Sequence, residues 1–457
     1  MHINRSIIDY NYLGLFTDLY QLKMAQSYLR EEMQMQATFQ LFARSSNNDR
    51  SYLVSAGLET LLDHLERFKF SPDSIEYLAS TSVFSDDFLH YLSNFRFTGN
   101  IRAIPEGRIY FFNEPILEVT APIIESQIIE TIVINQINIS SLIATKAARC
   151  VWAANGKPIM DFSARRTHGI DAGNIASRST YIAGFQSTSN VLAGRFYNIP
   201  INGTMSHSYV TSFENEIDSF RAFSNSFPDD SVILVDTYDP IEATKKVITV
   251  AHEMESSGSR LIGIRIDSGD ILLLSREIRS MLDNSNLHYV KILASGGLDE
   301  YSIQMLIKNG APIDGFGVGT KVGVSYDIPS LDIAYKMVTY GKRPVFKTSL
   351  GKETIPYKKQ IHRILDKAGL FEQDLITLEH EQPVGVETEA LLETYIKDGK
   401  LQKQLPSLNQ IRDTFKQDFY RLNEKYKKLD TKDAYPVSLS EKLNAMYNQD
   451  KKTGLSN

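Results

Sequence analysis

The chain has 457 residues and a formal net charge of −6, with both signs mixed along it. That length holds two or three domains and a sizeable core. The charge balance argues against nucleic acid or a membrane surface as the main partner, while leaving room for a local cationic pocket. A single cysteine, Cys150, excludes an intramolecular disulfide. It suits a reducing compartment and reads first as a small buried apolar residue.

In chain order, Leu19–Met33 carries apolar residues at helical spacing, and Asp18 before it reads first as helix-start electrostatics. Ala37–Ser45 and Ile109–Pro122 read as strands, punctuated by Pro115 and Pro122. The apolar stretch Pro122–Val151 is interrupted by Glu125, Glu130, Asn135 and Asn138. It is too polar to span a membrane and predicts helices buried inside the protein. Met1–Gly14 lacks the long apolar run of a signal peptide, so a cytoplasmic location is expected.

From about residue 155 to 325 short apolar runs end in polar residues or glycine, each followed by a helix-like segment. The runs are Pro158–Arg166, Tyr197–Thr204, Val232–Asp239, Leu261–Asp270, Val290–Gly297 and Ile313–Thr320. Their spacing is that of βα units, which build an open doubly wound sheet or a β/α barrel. Arg165, His207, Asp236, Arg265, Asp267, Gly296, Gly297 and Gly319 all fall at predicted carboxyl ends of strands. A barrel gathers those ends on one face, whereas an open sheet gathers only those at its switch point. Beyond about 340, Lys342–Ile364 reads as two or three lysine-rich strands and Leu408–Asp430 as helices. These strands are candidates to pair with the N-terminal sheet.

The strand ends carry the candidate chemistry. In RIDSGD, Arg265 suits bidentate anion binding, and Asp267 and Asp270 suit ribose hydroxyls or hydrated Mg²⁺. An internal Arg–Asp pair closing the barrel mouth explains the same hexapeptide equally well. In ASGGLDE and GFGVGTK, paired glycines before helices suit a phosphate, with Thr320 adding a hydroxyl; tight turns use glycines too. Phe162 offers a face for an aromatic ring, or packs in the core. Asp236 either orients His207 or caps a helix. His207 itself, in GTMSHSYV, is a surface imidazole unless the barrel gives it a site. No zinc-type Cys/His spacing, no GxGxxG after the first strand and no GxxxxGK[ST] occurs.

Taken in order, FTDLYQLKMA, DFSARRTHG, FQSTSNVLAG, GTMSHSYVTSF, VDTYDP, RIDSGD, ASGGLDE and GFGVGTKV resemble the nicotinate phosphoribosyltransferase family. The resemblance covers roughly residues 14 to 340, and the C-terminal part more loosely. It implies an irregular β/α barrel beside an α/β sandwich domain built from both chain ends. The expected parts are 1–120 and 341–457 for the sandwich and its packed helices, and 121–340 for the barrel.

The implied reaction transfers phosphoribose from 5-phosphoribosyl-1-pyrophosphate to nicotinate, giving nicotinate mononucleotide and pyrophosphate in NAD salvage. ATP is the implied co-substrate, through a phosphorylated histidine, and Mg²⁺ the implied cofactor. The resemblance also implies a homodimer with shared active sites. It assigns His207 as the phosphorylated residue and Asp236 as the carboxylate that holds it. Phe162 and the neighbouring subunit's copy of Tyr20 would sandwich the pyridine, with Thr204 and Arg265 contacting nicotinate. Arg165, Gly297, Gly319 and Thr320 match the phosphoribosyl pyrophosphate site, and Asp267 its ribose end. Ser187, Thr188 and Ser189 stand near where the related nicotinamide enzyme carries an aspartate, which favours the acid over the amide. The alternatives are a nicotinamide enzyme and a non-catalytic metabolite-binding protein on the same fold.

Overall fold

The computed structural model describes residues 10–44, 50–347, 349, 353–431 and 433–453. Residues 1–9 of the segment screened for a leader, Ser45 of the first strand, and residues 348 and 350–352 of the lysine-rich segment lie outside the described residues. The chain falls into two units, one made from both ends (to Thr145 and from Ile328), the other Lys146–Asp327. The sequence places these boundaries at 120/121 and 340/341. The later boundary differs because Ile333–Tyr340, read with the barrel, pairs instead with Gln36–Ala43 along seven registered positions.

The first unit holds an antiparallel sheet whose strand order is Arg343–Pro344, Ile333–Tyr340, Gln36–Ala43, Leu117–Pro122, Asn100–Ala103, Glu393–Lys397 and Lys400–Leu401. Gln36–Ala43 is buried on both faces, so its polar side chains need partners. Thr38 bonds Thr120 at 3.0 Å, and Gln40 donates to Glu118 at 2.6 Å. Helix Leu58–Arg67 buries Leu58, Leu61, Leu62 and Leu65, one stripe at helical spacing.

The lysine-rich strand Lys359–Leu365 does not join this sheet. It sits in a second one, ordered Thr388–Ala390, Lys359–Leu365, Phe371–Leu378, Val437–Leu439. Of the described residues of the segment read as pairing with the N-terminal sheet, only Arg343–Pro344 extends it, at its edge. The C-terminal helix Leu408–Arg421 gains a role: its buried Asp418 accepts from Arg108 Nε at 2.8 Å and from the Ile109 backbone at 2.9 Å.

The second unit contains a curled parallel sheet ordered Ser187–Thr188, Ile159–Asp161, Gly315–Val318, Lys291–Ala294, Gly263–Ile266, Val232–Leu234. Five of the six runs supply these strands. The sixth, Tyr197–Thr204, contributes only an isolated bridge between Ile201 and Thr188. Val191–Tyr197 is helical and Asn198 turns through φ 55°, so the chain meets the sheet only past Pro200. Its place is taken by Ser187–Thr188, a strand too short and polar to show as an apolar run. No ladder among the described residues closes Val232–Leu234 onto the other edge, so the barrel is irregular and open. Glu130–Ala153 is the long helix expected in the apolar stretch. No helix among the described residues is long and apolar enough to cross a membrane. Cys150 is buried, and burial pushes its thiol up.

A buried ion pair ties the smaller sheet together. Arg363 donates to Asp374 from Nε at 3.0 Å and Nη2 at 2.6 Å, and Tyr435 adds its hydroxyl to the same carboxylate at 3.1 Å. Asp374→Ala leaves the buried guanidinium short of its main partner, with Asp418 Oδ2 at 3.5 Å from Nη1 remaining. Asp374→Ala should therefore cost about 3–5 kcal/mol, read as a lowered urea midpoint.

Candidate active site

Register builds the site. The ladder pairs Leu234 with Arg265 and Ala294 with Ile266. One step past the pairs, Val235 N donates to Arg265 O at 3.2 Å, and Ser295 N to Ile266 O at 2.8 Å. Asp236, Asp267 and Ser295 therefore end adjacent strands side by side. Phe162 joins the row from the other direction, its backbone N donating to Val318 O at 2.9 Å.

His207 is the first residue of helix His207–Thr211 and is partly exposed. Its Nδ1 lies 3.1 Å from Thr237 Oγ1, and its Nε2 lies 3.9 Å from Asp267 Oδ2. The carboxylate expected to hold it, Asp236, contacts it in neither place. Asp236 Oδ2 accepts from Ser268 Oγ at 2.5 Å instead. The capping alternative for Asp236 also fails. The cap before Pro240 is Asp239, which accepts from the backbones of Ile241 and Glu242 at 2.9 Å. Asp236 Oδ1 is buried without a hydrogen-bond partner among the described residues.

Arg265 Nη1 donates to Thr204 Oγ1 at 2.5 Å, so the two residues expected to share one ligand do meet. No ion pair joins Arg265 to Asp267 or Asp236 among the described residues, and its Nε has no partner. Burial pulls the guanidinium below its usual range, while Asp267 and Asp236 act to raise it and Arg165 to lower it. Asp270, the other carboxylate of RIDSGD, caps helix Ile271–Asn284 through Leu273 N at 3.1 Å. Arg165 is exposed in the turn Ala164–Arg166, and Gly319 and Thr320 open the short helix Thr320–Gly323.

Two glycines act by having no side chain. A Cβ on Gly317 would lie 2.4 Å from Phe162 Cε2, so the ring rests directly on that strand. A Cβ on Gly296 would lie 1.6 Å from the carbonyl oxygen of Asp267. Gly296, at φ 85°, thus serves close packing, and Gly297 borders open space. Sequence reasoning missed Gly317, Ser268, Ser295 and Thr237. The last three sit directly beside residues it selected, and only strand register shows whom they bond.

Three family models match, described as the nicotinate phosphoribosyltransferase N-terminal domain over 15–138, the family itself over 158–365 and the C-terminal domain over 384–447. A nicotinate phosphoribosyltransferase of Mycobacterium tuberculosis is 42% identical over 94% of this chain and 92% of its own. One of Bacillus subtilis is 38% identical over 94% and 93%. The chain belongs to the nicotinate phosphoribosyltransferase family. The human nicotinic acid phosphoribosyltransferase structure superposes with a TM-score of 0.86 at 28% identity, covering 95% of this chain and 99% of that one. A nicotinate-nucleotide pyrophosphorylase structure from Pyrococcus furiosus reaches 0.75 at 22% identity, over 92% of this chain and 99% of its own, and shows the fold alone.

Tyr20 lies in the other unit from the remaining candidates. It is half exposed at the start of helix Leu19–Arg30 and lines a cavity of about 410 Å³ with Asp18, Gln21, Glu130 and Asn135. Gln21 donates to its hydroxyl at 3.3 Å, and burial with the nearby Glu130 pushes that hydroxyl up.

In this member of the nicotinate phosphoribosyltransferase family the three hydroxyls of the FQSTSN segment are not equivalent. Thr188 is buried and donates to Asp161 Oδ2 at 2.7 Å, while Ser187 is also buried. Only Ser189 is exposed. Thr188→Val removes the donor to a buried carboxylate and should lower stability by about 1–3 kcal/mol, measured by thermal or urea melting.

Proposed function

We propose that the protein transfers phosphoribose from 5-phosphoribosyl-1-pyrophosphate to nicotinate, coupled to ATP hydrolysis through phosphorylation of His207. The carrying observation is Arg265. It is a partly buried guanidinium with an unpartnered Nε, bonded to Thr204 at a parallel-sheet mouth. Such a group is an anion socket awaiting a carboxylate. The names of its relatives support nicotinate as the source of that carboxylate.

In this reading Phe162, its ring edge against Gly317, stacks one face of the pyridine, and Tyr20 of a second copy covers the other. Arg265 and Thr204 hold the nicotinate carboxylate. Arg165, Gly297, Gly319 and Thr320 take the phosphate groups, and Asp267 the ribose hydroxyls. Nicotinate's ring nitrogen then attacks ribose C1 as pyrophosphate leaves, through an oxocarbenium-like transition state. The protein's share is positioning, charge neutralisation and exclusion of water. The site serves NAD salvage as a shared site of a homodimer, with the cytoplasm as the expected location.

The residues fit Mg²⁺. Asp236 presents a buried Oδ1 without a hydrogen-bond partner among the described residues. Among the described residues no three His, Cys, Asp or Glu side chains cluster as a metal cage. Hydrated Mg²⁺ needs only one or two carboxylates beside substrate phosphates. When bound there it supplies charge for the leaving pyrophosphate.

Incubation with γ-labelled ATP should leave acid-labile label on the wild type and none on His207→Ala; equal labelling of both removes the phosphohistidine from the mechanism. Arg265→Lys loses the planar fork and should raise KM for nicotinate about tenfold or more. Steady-state kinetics with nicotinate varied reads that change.

A further inference from the structure

We propose that Ser295 is a positioning residue. It fixes Asp267 so that this carboxylate holds the proton on His207 Nε2 and leaves Nδ1 as the nucleophilic nitrogen. The inference rests on the reading of His207 as the phosphoryl acceptor.

Three observations carry it. Ser295 is buried, and its Oγ donates to Asp267 Oδ1 at 2.5 Å. That leaves Oδ2 as the oxygen facing His207, 3.9 Å from Nε2. At 3.9 Å the pair is longer than a hydrogen bond, and the proposed role requires it to shorten in the loaded site. Second, the Asp267 backbone is pinned as well. Its carbonyl oxygen lies where a Gly296 Cβ would stand, so the SGG turn grips Asp267 at both main chain and carboxylate. Third, the opposite ring nitrogen faces Thr237 Oγ1 at 3.1 Å, a hydroxyl able to donate to an unprotonated Nδ1. A carboxylate on one side and a hydroxyl on the other select the Nε2–H tautomer.

The step balances. The Nδ1 lone pair attacks the γ-phosphorus of ATP, the bond to the ADP oxygen breaks, and ADP leaves with that electron pair. The Nε2 proton stays in place, and Asp267 neutralises the resulting phosphoimidazolium. Oδ2 has two lone pairs, so a ribose hydroxyl and the imidazole can share it. Occupancy of the sugar site and reactivity of His207 are thereby joined through one oxygen. The first half of the glycine turn, read from sequence as a phosphate loop, instead builds this carboxylate.

The test uses the full chain with Ser295→Ala, Ser295→Cys, Asp267→Asn and the Ser295→Ala/Asp267→Asn double variant. Melting midpoints are read alongside, since Cys refills the space that Ala vacates. Single-turnover labelling from γ-labelled ATP should slow about tenfold or more in both Ser295 variants, with ATP KM nearly unchanged. Ser295→Ala should add no further loss once Asp267 is Asn. Imidazole ¹⁵N resonances of the wild type, assigned by their loss in His207→Ala, should show the Nε2–H tautomer, and those of Ser295→Ala a mixture. Full rate in Ser295→Ala, restoration by Cys, additive losses in the double variant, or an Nδ1–H wild type would each overturn the proposal. Undiminished label on His207→Ala would instead remove the phosphohistidine reading, while the ¹⁵N tautomer still decides the geometry.

Discussion

Parallel strands in register are the constraint on which the second unit depends. Parallel pairing fixes which residue of one strand faces which residue of the next, so every strand end has a defined neighbour. Ala294 opposite Ile266 makes Ser295 the neighbour of Asp267. Leu234 opposite Arg265 brings Asp236 within reach of Ser268. A one-residue slip would turn these side chains to the other face and exchange a polar row for the apolar residues beneath it. Those residues, among them Ile233, Ile264, Ile266 and Ile292, are buried, so burial opposes the slip.

The same row shows how similar residues acquire different tasks. Asp239, Asp270 and Asp299 each cap a helix, satisfying backbone N–H groups that would otherwise lack partners. With the caps supplied, Asp236 and Asp267 are left at the mouth, each held on one oxygen by a serine and presenting the other. A carboxylate held in this way loses rotamer freedom. Glycine plays a corresponding part: Gly317 admits the Phe162 ring and Gly296 admits the Asp267 carbonyl.

Much of this was legible in the chain. Five of the βα runs became strands of the parallel sheet because buried parallel strands leave continuous apolar runs. Arg265, Asp267 and Phe162 could be selected because polar or aromatic residues at such ends have no core to join; His207, read at a strand end, instead opens a helix. The short strand Ser187–Thr188 escaped notice, since a two-residue polar strand leaves no apolar run; the Thr188 hydroxyl is met by Asp161 and Ser177 rather than by solvent. Lys359 misled for a related reason. Its ammonium is buried and donates to Gln40 Oε1 at 2.6 Å, so the strand meets the N-terminal sheet through a side chain and not through a ladder.

Sequence alone determined the kinds of chemistry present: an arginine at a strand end, carboxylates nearby, an imidazole among small residues, and an aromatic face. It also determined the βα order that brings them to one side. Tertiary structure decided the pairing. The carboxylate nearest His207 is Asp267 rather than Asp236, because partner choice depends on angstrom-scale register between strands tens of residues apart. Local sequence carries no record of that register. The packing of Gly296 against Asp267 and the ladder from Ile266 to Ala294 supply it.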